Sequence, residues 1–251
     1  MRIAAVGDLH IGVDSAGAFR DHLEHLGERA DVLLVAGDVT RLGRPEEAAV
    51  AADELHDVGV PVVAVLGNHD LHSDQPEEVR RSLEEAGITV IEGESAVIEV
   101  GGRTLGIAGT VGFGGGFVDA GASSFGEREM KAFVARSEQL ADSLERSLRA
   151  LETDVRLALT HYAPIQSTLE GEPREIHPFL GSYLLAEAVD RAGAELAIHG
   201  HAHRGREHGE TPGGIPVRNV AWPVIDRAYA VYELTDGVGE TAPAGAVHSQ
   251  R

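Results

Sequence analysis

Three short apolar runs, Ile3–Val6, Val32–Ala36 and Val62–Leu66, each end in a glycine followed by a polar side chain: Gly7-Asp8, Gly37-Asp38 and Gly67-Asn68. Uninterrupted aliphatic runs of this kind are the pattern of strands covered on both faces. The stretches between them, Ala16–Glu28 and Pro45–Asp57, predict helices, the second with Pro45 at a first helical position, where its missing N–H costs nothing. A third helix is expected over Pro76–Ala86. The polar residues stand at positions 8, 38 and 68, a constant interval of 30 residues. That is about the length of one strand–helix–strand unit. Right-handed crossovers bring the C-terminal ends of successive parallel strands to one sheet edge. Asp8 and His10, then Asp38, then Asn68, His69 and Asp70 are therefore expected to share one crevice.

Shorter strands are expected at Ile88–Ile91, Ala96–Val100 and Thr104–Ala108, the last two joined by Gly101-Gly102, a hairpin signal that makes the sheet mixed. A Gly-rich stretch, Gly109–Gly126, reads as a loop. Its Gly112–Phe117 portion lacks the Lys-Ser/Thr ending of a phosphate-cradling loop, so it is expected at the rim of the site, with Phe113 and Phe117 lining a pocket or anchoring the loop. A long helix over Glu127–Leu151 follows, its apolar stripe serving packing. Strands are expected at Arg156–Leu159, Leu196–Ile198, Ile215–Val220 and Ala228–Leu234, with Ala163–Ser182 as a surface loop. One domain, 1–234, and a flexible tail, 235–251, account for the chain.

Two of these later strands end in histidines: His161 after the first, and His201 and His203 after Ile198. A spacing of two, as in Asp8/His10 and His201/His203, keeps both side chains on one side of an extended segment. The chain has no cysteine, so any metal site must use carboxylate, amide and imidazole donors, a set suited to borderline-hard cations. Around these residues, His199 is expected as a hydrogen-bonded core residue, His72 and His177 as ordinary solvated histidines, Tyr162 as packing behind a ligand, and Arg41 as a surface arginine.

With 41 acidic and 21 basic residues the formal net charge is −20, which argues against long nucleic acid as a partner. No apolar segment is long enough for a membrane span, and the N-terminus carries no signal-like run, so a cytoplasmic location is expected.

The ordered set Gly7-Asp8-Leu9-His10, Gly37-Asp38, Gly67-Asn68-His69-Asp70, His161 and Gly200-His201-Ala202-His203 resembles the five-part signature of the calcineurin-like metallophosphoesterase superfamily, from Asp8 to His203. The resemblance implies an α/β fold, a four-layer α-β-β-α sandwich with two mixed sheets. It implies a dinuclear centre with Asp8, His10 and His203 on one metal, Asn68, His161 and His201 on the other, and Asp38 bridging both. His69 would act as general acid towards the leaving alcohol, with Asp70 orienting it, and a metal-bridging hydroxide as nucleophile. Mn or Fe would be the metals, with Zn as an alternative. The stretch Gly37-Asp38-Val39-Thr40-Arg41-Leu42-Gly43 lacks the second acidic residue and the arginine of the protein Ser/Thr phosphatase branch. The set is closer to small bacterial members, including class III cyclic nucleotide phosphodiesterases. The expected activity is hydrolysis of a small phosphodiester. A phosphomonoesterase is the alternative, with a nuclease or a catalytically silent scaffold behind it. The sequence does not set the oligomeric state.

Overall fold

The computed structural model describes residues 1–118 and 120–234; the expected tail, 235–251, lies outside the described residues. The first strand, β1 (Arg2–Val6), forms as anticipated. The crossover after it does not. In place of a helix over Ala16–Glu28 the chain makes one 3₁₀ turn, Arg20–Leu23, and a single helical turn, α1 (Leu26–Arg29). The reason is a competing acceptor: the Glu54 carboxylate takes the backbone N–H of Gly17, of Phe19 at 2.8 Å and of Arg20 at 2.7 Å. Backbone donors satisfied by a side chain no longer require a helix, and His25, in the left-handed region at φ 63°, separates the two turns.

The next elements follow the expected alternation: β2 (Val32–Ala36), α2 (Pro45–Leu55), β3 (Val62–Val65), α3 (Pro76–Glu85) and β4 (Thr89–Val90). The strands β5 (Glu94–Val100) and β6 (Arg103–Thr110) form an antiparallel hairpin. Its turn, Gly101-Gly102, has φ of 58° and 82°, the positive pair that a two-residue hairpin turn requires. The Gly-rich stretch contains a small antiparallel pair, β7 (Gly116–Phe117) and β8 (Ala120–Gly121), before the long α4 (Arg128–Ala150) and β9 (Val155–Thr160). The segment expected as a loop holds two 3₁₀ turns and the short α5 (His177–Leu180). It leads into α6 (Tyr183–Ala192), a helix the sequence reading passed over. Its signals were present: Ser182 caps it by accepting the Leu184 N–H at 3.3 Å, and Gly193 ends it in the left-handed conformation. The chain closes with β10 (Leu196–His199), β11 (His208–Glu210), β12 (Pro216–Asn219), α7 (Trp222–Ile225) and β13 (Ala230–Glu233).

The strands form two large mixed sheets, one ordered β13-β1-β2-β3-β4 and the other β11-β12-β10-β9-β6-β5. Both have a parallel centre, and β13, β11 and β5 pair antiparallel at the edges. Side chains alternate across each sheet. Leu105, Ile107, Leu157, Leu159 and Ile198 of the six-stranded sheet share one buried cluster with Ile3, Leu33 and Val63 of the other. Their neighbours Ala108, Ala158 and Ala197 turn the opposite way, onto Leu144 and Leu148 of α4 and Leu185 and Val189 of α6. With α2 and α3 supplying Ala51, Leu55, Val79 and Leu83 to the first cluster, the result is a helix–sheet–sheet–helix sandwich. The parallel strands of both sheets deliver their C-terminal ends to one edge.

Glu54 sets the shape of the first crossover, and Glu54→Ala is expected to cost about 2–3 kcal/mol in urea unfolding, since it strands charge-assisted backbone donors. Burial alone would raise the Glu54 pKa, but the N–H donors of Gly17, Phe19 and Arg20 hold it below its ordinary value of 4.5. The folded-state value lies below the unfolded one, so this stabilisation is complete above about pH 4.5 and is lost as pH falls through the folded-state pKa. Stability curves of the wild type and Glu54→Gln should therefore converge in acid.

Candidate metal centre

Beyond β1 and β2 the chain continues as two loops bonded to each other: the Asp8 N–H donates to the Gly37 carbonyl and the His10 N–H to the Asp38 carbonyl, both at 2.9 Å. Asp8, His10, Asp38 and, after β10, His201 all stand in the left-handed region, at φ 60°, 47°, 50° and 69°. Each such non-glycine conformation costs about 1 kcal/mol or more, and Asp and His are among the residues that tolerate it. The loop-to-loop hydrogen bonds offset that strain. Glycines let the loops approach: a Cβ on Gly67 would overlap Asp38, and one on Gly200 would overlap Asp8.

Donor atoms converge in three groups, each within 4.8 Å: Asp8, His10 and His203; Asp38, His161 and His201; and His10, Asp38 and His69. Asp38 belongs to two of them. The closest pairs are His203 Nε2 to Asp8 Oδ1 at 2.8 Å, His161 Nε2 to Asn68 Oδ1 at 2.9 Å and His161 Nε2 to Asp38 Oδ1 at 3.3 Å. All seven residues anticipated as ligands thus meet at the strand ends, with Asn68 entering through His161.

The donor set fits cations. The Ala36 carbonyl, 2.9 Å from His161 Nδ1, can only accept. In the neutral ring the one proton therefore sits on Nδ1, and the Nε2 lone pair faces the oxygens of Asn68 and Asp38. Acceptors gathered around one point are satisfied by a positive ion. His201 is tethered in the same way, Nε2 to the Phe179 carbonyl at 3.4 Å, which leaves Nδ1 as the free donor atom. His10 Nε2 is buried and has no hydrogen-bond partner. Burial pushes the His10 pKa down to about 4, helped by His69, and burial with His161 pushes that of His201 down to about 3. Both rings are neutral near pH 7, the form that binds metal. Burial works to raise the Asp8 pKa, but the hydrogen bond from His203 and the neighbouring imidazoles hold it below the ordinary carboxylate range. Burial and the charge of Asp8 raise that of Asp38.

His69 is partly exposed beside the centre, its Nε2 4.0 Å from Asp38 Oδ2. Its backbone N–H donates to Asp38 Oδ1 at 2.8 Å, and its Nδ1 donates to the Arg41 carbonyl at 2.7 Å. The orienting partner of this ring is thus Arg41, not the expected Asp70. Asp70 is fully buried and ties together the loops after β2 and β3. Its Oδ1 accepts the Thr40 N–H at 2.7 Å and the Thr40 hydroxyl at 2.6 Å, and its Oδ2 the N–H groups of Gly67 at 2.8 Å and Val39 at 3.2 Å. Burial and the charge of Asp38 raise its pKa against the pull of these donors. Thr40, which also accepts the Gly43 N–H at 3.1 Å, gave no sign of this role in the sequence.

The bystanders fall as follows. His199 is buried between the Gly200 carbonyl and the Thr168 hydroxyl, at 2.7 and 2.9 Å. His177 is buried between Gln166 and the Glu172 carbonyl, not solvated as expected. His72 is exposed. Tyr162 lies behind the ligands, its ring 4.3 Å from that of His201, and burial with the Asp38 charge pushes its pKa up to about 12. Arg41 turns its guanidinium to Asp14, at 2.9 Å.

The sandwich of two mixed sheets thus gathers Asp, Asn and His donors at one edge, as a metal-binding site requires. The family model described as calcineurin-like phosphoesterase matches residues 1–205, and the chain belongs to that family, whose members depend on a dinuclear metal centre. A probable cyclic nucleotide phosphodiesterase of Synechococcus sp. is 33% identical over 89 residues, 32% of this chain and 33% of that protein. Glycerophosphodiester phosphodiesterase GpdQ of Enterobacter lignolyticus is 44% identical over 48 residues, 19% of this chain and 17% of that one. The matches thus span a third or less of these relatives' lengths. Among solved structures, the phosphopantetheinyl hydrolase of Mycobacterium tuberculosis aligns with a TM-score of 0.65 at 17% identity, covering 87% of this chain and 88% of that one. GAP50, the anchor in the inner membrane complex of Plasmodium, aligns at 0.58 and 14% identity, covering 95% and 82%. These structural likenesses concern the fold.

Because both Asp70 oxygens face N–H donors, an amide at this position meets a donor with its own NH₂ in either orientation. Asp70→Asn is expected to lower stability by about 2–4 kcal/mol, and Thr40→Val by about 1 kcal/mol, both read from urea unfolding.

Proposed function

We propose that this chain is a metal-dependent phosphodiesterase acting in the cytoplasm on a small phosphodiester. The observation that carries the reading is Asp38, a buried carboxylate grouped with His161 and His201 on one side and with His10 and His69 on the other, His10 being grouped in turn with Asp8 and His203. Asp8, His10 and His203 would hold one cation and Asn68, His161 and His201 the other, with Asp38 available to both; Mn or Fe would suit these donors, with Zn as an alternative. When bound, the pair supplies an acidified water and positive charge for the phosphoryl oxygens. His69 holds the proton for the leaving alcohol at Nε2, since Nδ1 is engaged by Arg41. A diester is favoured over a dianionic monoester, which calls for further cationic contacts, because Arg41 turns its guanidinium to Asp14. The phosphodiesterase names of the two sequence relatives support the same choice.

Purified protein with Mn²⁺ or Fe²⁺ is expected to hydrolyse bis-p-nitrophenyl phosphate faster than p-nitrophenyl phosphate. Asp38→Ala should abolish turnover; unchanged activity in that variant would remove the basis of the proposal. His69→Ala should keep its metals, measured by elemental analysis, and lose about a hundredfold or more in kcat with poor leaving groups. An equal loss across good and poor leaving groups would exclude the acid role. A chain that binds no metal under any of these conditions would instead be a scaffold on this fold.

A further inference from the structure

Five of the six phenylalanines fall between Phe113 and Phe179. One of them, Phe117, is buried with Leu169, Leu180 and Ala202 and anchors its loop. Three others form a row. The Tyr162 ring lies 4.3 Å from His201, Phe113 lies 5.9 Å from Tyr162, Phe133 lies 5.0 Å from Phe113, and Phe179 meets Phe133 edge-on at 6.5 Å. The row thus starts at a proposed metal ligand, His201, and its last member, Phe179, returns to the same ligand through its backbone. It also opens along the way: Tyr162 is buried, Phe113 and Phe133 are half-buried, and Phe179 is 60% exposed. Phe179 is fixed at the site by its backbone, since its carbonyl is the partner of His201 Nε2. A large ring held in water by a rigid backbone loses the apolar burial it would gain elsewhere, a cost that a bound apolar group removes.

We propose that Phe113, Phe133 and Phe179 form the specificity wall of the phosphoesterase site, taking a flat aromatic group carried on the substrate's phosphoester. Tilted and edge-on contacts with such a group follow the geometry the three rings already adopt among themselves. The inference rests on the metal-centre reading above and names the chemistry of the ester group next to it. A nucleobase and a simple aryl ester share that chemistry.

Calorimetric titration of the Mn²⁺-loaded protein with methylphosphonate and phenylphosphonate separates the wall from the metals. Phenylphosphonate is expected to bind roughly tenfold more tightly. Phe179→Ala should bring the two within about twofold to threefold of each other, and Phe179→Leu should fall between. Val97→Ala, an exposed apolar residue of β5, should keep the wild-type ratio. Equal binding of the two phosphonates by the wild type, or a ratio that Phe179→Ala does not alter, would overturn the wall. Failure to take up Mn²⁺, measured by elemental analysis before the titration, would overturn the metal-centre reading, whereas binding of neither phosphonate by the loaded protein would overturn the wall alone. The phosphonate analogue of adenosine 5′-phosphate assigns the source: a matching loss in Phe179→Ala supports a nucleobase, and a loss confined to phenylphosphonate supports a simple aryl ester.

Discussion

Asp38 is a buried carboxylate beside a second one, Asp8, and the strand ends are built to keep it there. Burial and the Asp8 charge both oppose its ionisation, and a desolvated carboxylate without partners is among the costliest groups a fold can contain. One fixed donor reaches Asp38, the His69 N–H on Oδ1, and its main chain is held by the His10 N–H on its carbonyl. The His161 Nε2 lone pair, 3.3 Å from the same oxygen, leaves the remaining negative charge for a cation. Behind Asp38, Asp70 ties the Thr40 and Gly67 backbones into one unit. The spacing of two in Asp8/His10 and His201/His203 was expected on extended segments, but Asp8, His10, Asp38 and His201 stand in the left-handed region, held by the loop-to-loop bonds that Asp8 and His10 donate.

How much of this was legible in the sequence depended on whether the signal was local. The strands β1, β2 and β3 were readable because each carries an uninterrupted apolar run, and the constant interval between Asp8, Asp38 and Asn68 encodes the crossover length. Those features bring the ligands to one edge without any knowledge of side-chain contacts. The first crossover was misread because the residue that prevents a helix there, Glu54, is distant in sequence and acts through its carboxylate. Asp70 was misassigned for a related reason. Its neighbour in sequence is His69, but its partners in space are Thr40, Val39 and Gly67. The ring it was expected to orient is held by a backbone carbonyl, which every residue has and no sequence advertises.

The fold does not choose the function by itself. Structures with the same sandwich include a hydrolase and a protein described as an anchor, so what distinguishes a hydrolytic site is its donor atoms. Here the orphaned His10 Nε2 and the acceptor-lined His161 Nε2 carry more weight than the topology. Core packing alone would not leave a buried imidazole nitrogen unpaired in the midst of carboxylates and other rings.

Three imidazoles at the centre, His161, His69 and His201, are each oriented by a backbone carbonyl, those of Ala36, Arg41 and Phe179. A carboxylate in any of these places would fix the tautomer equally well and would add a negative charge close to the cations. With carbonyls doing the orienting, the ionised groups that face the metal positions are Asp8 and Asp38. Two divalent cations carry more charge than these two carboxylates cancel, so the proposed centre stays positive towards an anionic phosphoester even though the chain carries a net charge of −20. The overall acidity and the phosphate chemistry are therefore compatible because the orienting partners are neutral. The same choice places Phe179, through its carbonyl, at the edge of the site, where its side chain is free to meet the organic part of a substrate.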